Sequence, residues 1–292
     1  MSETLILSGK AAAESVYANL TGRIESIIGK GATPGLAAVL VGDNPASHVY
    51  VHSKTKRFLS MGLHSDTITF PADVPESRLL QTIQELNQDR TFHGILVQLP
   101  LPQQINSKNI IQSVLPEKDV DGFHPENVGL LTMGKPRFVP CTPKGIMRIF
   151  SHYRIDLSGK HVVVIGRSNI VGRPVSILAS LKASGANATT TVCHSGTTGI
   201  TDHTRKADVV ITAMGSPNYL KGDMLKNGAV VIDVGINRVD AENEKGYKLV
   251  GDVQWDSIQG IAGAATPVPG GVGPMTIAML VENTVEAAES AV

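Results

Sequence analysis

The stretch His161–Pro174, reading His-Val-Val-Val-Ile-Gly-Arg-Ser-Asn-Ile-Val-Gly-Arg-Pro, runs a short apolar strand into a glycine-marked turn and then a helix start. It restricts the fold more than any other part of the chain, because a strand that ends in glycine and feeds a helix opens a βαβ unit. Gly166 permits a tight turn and close backbone approach, while the N–H groups and positive dipole end of the following helix favour a phosphate. Pro174 suits the first turn of that helix. The spacing of Gly166 and Gly172 is not the common Gly-x-Gly-x-x-Gly, so an ordinary strand-to-helix turn stays open as an alternative.

The next run, Ala188–Cys193, reads as the second strand of the unit and ends in His194-Ser195, where an NAD site carries a ribose-binding Asp or Glu. No carboxylate stands there. Arg167, Ser168 and Ser195 instead offer a cation and hydroxyls to a 2′-phosphate, which points to NADP as the cofactor.

Strand and helix patterns alternate through the rest of the chain. Strands are expected at 36–41, 66–70 and 94–98, with helices near 10–29, 46–60 and 76–90. A second series has strands at 161–165, 189–193, 208–212 and 229–233, and a short one at 249–253. The 115–143 stretch is rich in Pro, Gly and charge, and 142–153 reads as a linking helix. The fold class is therefore α/β, with two domains around a cleft. An N-terminal βα domain, residues 1–122 plus 275–292, precedes a Rossmann-like nucleotide-binding domain, residues 123–274. The Thr266–Pro274 segment, with its prolines and glycines, is expected to be non-helical, and the helix after it, 275–290, to pack back on the first domain.

At 292 residues and 42% hydrophobic content the chain has ample core for two domains. Lys plus Arg and Asp plus Glu are 26 each, and no long basic run occurs, so a nucleic-acid or membrane-surface role has no electrostatic footprint. The two cysteines, Cys141 and Cys193, lie far apart in no metal-ligand spacing and read as reduced thiols. The N-terminus lacks a basic region before an apolar stretch, and no apolar run reaches about 18 residues, so a soluble, cytoplasmic chain is expected.

Asn44-Pro45 is a good helix start, and on that helix Tyr50 and Lys54 stand four apart on one face, where both can meet one ligand. An amphipathic helix with a half-buried Tyr and a solvated Lys is the alternative. Gln98 lies at the carboxyl end of a strand, where ligands gather in open α/β sheets, although loop backbone left unpaired by the neighbouring prolines can also satisfy it. Asp121 either binds the amidine-like edge of a heterocycle or makes an Asx-turn. The histidines show no metal spacing.

Together, Tyr50-Val-His-Ser-Lys54, Val97–Pro102, Lys118–His124, Pro140–Pro143, Gly166–Pro174 and Pro269–Thr276 resemble the bifunctional methylenetetrahydrofolate dehydrogenase/methenyltetrahydrofolate cyclohydrolase family over nearly the whole chain. The resemblance implies NADP-dependent oxidation of 5,10-methylenetetrahydrofolate to the methenyl form, hydrolysis to 10-formyltetrahydrofolate, a small-molecule folate substrate and a homodimer. It implies Lys54 as the central catalytic group, Tyr50 positioning the folate, Gln98 as partner of Lys54 and Asp121 as the pterin anchor. Gly166, Arg167, Ser168, Ser195 and Ile236 are implied for the dinucleotide, and Pro269 and Gly270 for the folate, with no metal called for. Tyr-x-x-x-Lys also marks short-chain dehydrogenases, but there the nucleotide turn precedes the pair, whereas here Lys54 precedes Gly166. A monofunctional dehydrogenase of the same family and a non-catalytic NADP sensor are the competing readings.

Overall fold

Leu36–Val41 is an unbroken apolar run in which every residue is buried, the pattern of a strand with both faces covered. The computed structural model, which describes residues 3–243 and 246–292, places it at the centre of a parallel sheet. In chain order the strands are β1 (Leu5–Ile6), β2 (Gly35–Val41), β3 (His64–Phe70), β4 (Gly94–Val97), β5 (His161–Ile165), β6 (Thr189–Cys193), β7 (Val209–Thr212), β8 (Val230–Asp233), β9 (Asn237–Asp240), β10 (Tyr247–Val250) and β11 (Ala264–Ala265). The helices are α1 (Gly9–Gly29), α2 (Pro45–Ser60), α3 (Glu76–Gln88), α4 (Ser107–Ser113), α5 (Pro125–Thr132), α6 (Cys141–His152), α7 (Gly172–Ser180), α8 (Ile200–Thr204), α9 (Trp255–Ile258) and α10 (Val272–Ala291). Among the described residues no helix is long and apolar enough to cross a membrane.

The chain forms two compact units. One comprises Val16–Cys141 with Ile277–Val292, the other the stretch through Ser15 with Thr142–Thr276. The first is built on the parallel sheet β3-β2-β4. Its core gathers Val39, Leu79, Ile83, Ile95 and Ile110 from strands and helices, all at most 2% exposed. The Ile277–Ala291 part of α10 belongs to this unit: Asn283, fully buried, donates to the carbonyls of Val120 (2.7 Å) and Val139 (3.0 Å), and Arg23 pairs with Glu289 at 2.6 Å.

The second unit carries the parallel sheet β1-β11-β8-β7-β5-β6 and a separate antiparallel hairpin, β9 with β10. The compact units are divided elsewhere than the expected 1–122 plus 275–292 and 123–274. Leu5 and Leu7 donate backbone N–H groups to Gly263 and Ala265, which draws the N-terminal stretch into the six-stranded sheet. Residues 123–141 lie with the three-stranded sheet, where Arg137 and Asp119 both bond Asn127.

Two expected elements are corrected. The strand expected at 249–253 is Tyr247–Val250, and it stops because the N–H groups of Asp252 and Val253 donate to the Asp233 carboxylate instead of a ladder. The segment expected to be non-helical through Pro274 becomes helical at Val272, since a proline in the first turn removes an N–H that has no intrahelical partner anyway. Strands β1, β9 and β11 and helices α4, α5, α8 and α9 have no counterpart in the sequence expectations.

Candidate active site and nucleotide-binding turn

Helix α2 starts where its sequence says it should. The Asn44 side chain accepts from the N–H groups of Ala46 (3.0 Å) and Ser47 (3.1 Å), and Pro45 opens the first turn, a cap worth about 1 kcal/mol. The buried side of the helix is Ser47, Val51 and Phe58. With that side fixed, Tyr50 and Lys54 fall on successive turns, the first exposed and the second half-buried.

Lys54 Nζ donates to Gln98 Oε1 at 3.1 Å. Gln98 follows β4 directly; its backbone N–H donates to Val39 and its side-chain amide donates to the Leu99 carbonyl at 2.8 Å, so the carbonyl end is turned to Lys54. Asp121 completes the cluster, interacting with the Lys54 charge. Burial raises the Asp121 carboxyl above the ordinary carboxylate range, against the lowering pull of Lys54 and of a hydrogen bond with the Cys141 thiol. Partial burial also raises the Tyr50 phenol.

The turn around Asp121 is made by a different carboxylate. Asp119 accepts from the backbone N–H groups of Phe123 (3.2 Å) and His124 (2.7 Å) and from Asn127 Nδ2 (2.8 Å), and burial pushes it up to about 6. Asp119 thus does the structural work that was one of two readings of Asp121. Below it, Cys141 donates its thiol to the Val120 carbonyl, the same carbonyl that Asn283 holds.

In the six-stranded unit the turn after β5 has the features a dinucleotide requires. Gly166 adopts φ +128°, and a side chain there would collide with the Ala213 carbonyl. Arg167 and Ser168 are exposed. The Ser168 hydroxyl oxygen accepts from Val171 N–H (3.2 Å) and Gly172 N–H (3.3 Å), so it also closes the start of α7 while keeping its own proton to donate. Ser195 is exposed just after β6, and Ile236, 43% exposed, lies three residues beyond β8. These positions share the carboxyl ends of parallel strands, where ligands bind in open α/β sheets. Pro269 and Gly270 lie in this same unit, with Gly270 at φ +105° and its carbonyl accepting from Gly9 and Lys10.

Sequence reasoning missed the residues that hold these loops. Asp233 and Asp252, at 4% and 0% exposure, have no motif to announce them. The only hint lies in Gly235 and Gly251, where a side chain would run into the Asp252 and Asp233 carboxylates respectively.

A half-buried Lys–Gln–Asp cluster in one unit and the glycine turn after β5 in the other fit a nucleotide-dependent enzyme of the α/β class. Family models agree: the tetrahydrofolate dehydrogenase/cyclohydrolase catalytic domain matches residues 7–121, and the NAD(P)-binding domain of that family matches 140–292. The chain is 54% identical over 286 residues to Bifunctional protein FolD 2 of Geobacter sulfurreducens, covering 98% of this chain and 97% of that one. A crystal structure of the bifunctional FolD enzyme from Campylobacter jejuni superposes with a TM-score of 0.93 at 46% identity, covering 99% of this chain and 100% of the other. The Trypanosoma brucei FolD structure, complexed with NADP and an inhibitor, gives 0.94 at 37% identity over 100% and 99% of the two chains. The chain belongs to the tetrahydrofolate dehydrogenase/cyclohydrolase family. It is a bifunctional enzyme of folate one-carbon metabolism, an oxidoreductase that uses NAD(P) and a hydrolase.

Proposed function

We propose that the three-stranded unit carries the folate chemistry on Lys54, Tyr50, Gln98 and Asp121, and that the six-stranded unit binds NADP on Gly166, Arg167, Ser168, Ser195 and Ile236. The observation that carries the reading is the 3.1 Å bond from Lys54 Nζ to Gln98 Oε1, with Asp121 electrostatically coupled to the same side chain. NADP, when bound, accepts the hydride that leaves the methylene carbon of 5,10-methylenetetrahydrofolate. For that step the side chains supply alignment, Tyr50 against the folate ring and Asp121 on the pterin edge.

Cyclohydrolysis asks more of the protein. Water's oxygen bonds to the cationic methenyl carbon as one of its protons passes to the neutral Lys54 amine; the lysine returns that proton to the folate nitrogen whose bond to the carbon breaks, and the remaining hydroxyl proton goes to solvent as the formyl carbonyl forms. Gln98, anchored on the Leu99 carbonyl, keeps the amine aimed. Support for NADP over NAD comes from Arg167 and the hydroxyls of Ser168 and Ser195, with no carboxylate at the end of β6. The neutral formal charge supports a small-molecule partner over nucleic acid, and the family resemblance supports a homodimer working in the cytoplasm.

The test mixes purified protein with methylenetetrahydrofolate and either NADP or NAD, following nucleotide reduction and methenyl absorbance together. Reduction of NADP with little methenyl accumulation is expected. Reduction with NAD alone contradicts the assignment of Arg167, Ser168 and Ser195, and lasting methenyl accumulation contradicts the hydrolytic role of Lys54.

A further inference from the structure

Asp252 is fully buried, yet its carboxylate is aimed at an exposed loop. One oxygen accepts from the N–H groups of Met214 (2.8 Å) and Gly215 (3.0 Å), the other from Ser216 N–H (2.8 Å) and from Asn237 Nδ2 (2.9 Å). Three successive backbone donors thus converge on one anion, directly after β7. Loop N–H groups on a surface ordinarily bond to water, and their capture by a buried carboxylate fixes the loop in one shape.

The loop so held borders the nucleotide turn. Ala213 N–H donates to the Ile165 carbonyl at 2.8 Å, and the space left by the missing Gly166 side chain is filled by the Ala213 carbonyl. Through Asn237 the same carboxylate holds the residue next to Ile236. Asp252 is itself set from below, because its N–H donates to Asp233 Oδ1 at 3.0 Å, and Gly235 and Gly251 leave the two carboxylates room beside the backbone.

We propose that Asp252 is a positioning residue of the nucleotide site, tying the 214–216 loop and the Ile236–Asn237 segment into the arrangement that receives NADP. It touches no ligand, since both oxygens are already engaged by the protein. The proposal rests on the reading of Gly166–Ser168 as the dinucleotide turn.

Asp252→Asn places an NH2 group against backbone N–H groups, and Asn237→Ala removes one tie only. The experiment measures KM for NADP and kcat in the dehydrogenase reaction for both variants beside Arg167→Ala, and cyclohydrolase activity on methenyltetrahydrofolate without nucleotide. Asp252→Asn should raise KM for NADP about tenfold, and Asn237→Ala about threefold, with kcat at saturating NADP and the cyclohydrolase rate changed by less than about twofold. An unchanged KM in Asp252→Asn, beside a raised one in Arg167→Ala, overturns the proposal alone. An unchanged KM in Arg167→Ala overturns the dinucleotide reading beneath it. If Asp252→Asn does not fold, Asn237→Ala decides: a raised KM supports the role, and an unchanged one removes it.

Discussion

Gln98 holds both ends of its amide in use, the nitrogen on the Leu99 carbonyl and the oxygen on Lys54 Nζ. Truncation to Ala removes the acceptor that aims the lysine while leaving the strand end intact, because the Gln98 backbone N–H still pairs with Val39. Cyclohydrolase kcat of Gln98→Ala should fall by about a hundredfold, the order expected when a proton-transfer group is misaligned, and the methenyl absorbance decay measures it. Dehydrogenase kcat should fall less. At this scale the shared helix face of Tyr50 and Lys54 and the strand-end place of Gln98 were legible, whereas the joining of Gln98 and Asp121 to Lys54 was implied only by the family resemblance. What no sequence spacing revealed was the supporting set. Asn283, Asp233 and Asp252 act through backbone groups brought from far along the chain, and such partners leave no local pattern. Asp119 and Asp121 stand two apart in one short motif, and only the fold separates the turn-forming carboxyl from the one beside Lys54.

The elements were legible wherever local chemistry decides them. β2 and β5 are continuous apolar runs, and α2 has its Asn44 cap. Legibility failed where tertiary contacts take over, as at Gly251, where β10 ends because a carboxylate claims the next two N–H groups. That carboxylate also gives a prediction. Asp233, joining β8 to β7 through Thr212 and to the 251–253 segment, is pushed up from 3.8 to about 6 by burial, partly offset by the N–H groups of Asp252, Val253 and Gly235. A folded-state value above the unfolded one means the folded chain holds the proton more tightly, so this group's stabilisation is full below pH 3.8 and is lost as pH rises through about 6. Its span is about 3 kcal/mol. Urea unfolding of wild type and Asp233→Asn between pH 4 and 7 should show the difference in stability between them shifting over that window, in the sense that wild type loses relative stability as pH rises. Parallel curves would contradict the assignment.

Across the whole molecule, the two activities draw on different chemistry. Hydride transfer asks for alignment of a carbon with a nucleotide, and the six-stranded unit supplies the turn for that nucleotide. Water addition asks for a group that takes and returns a proton, the role proposed for Lys54 in the three-stranded unit. The existence of two α/β halves was legible from alternating patterns, but their bounds were not. A two-residue strand such as β1 is too short to carry periodicity, yet its bonds to Gly263 and Ala265 decide where the N-terminal stretch belongs. The most direct test of the division of labour is Lys54→Met, a near-isosteric change that keeps the helix and removes the amine. Cyclohydrolase activity should fall at least about a thousandfold, with dehydrogenase activity reduced far less and methenyltetrahydrofolate accumulating as NADP is reduced. Normal methenyl turnover by that variant would contradict the account.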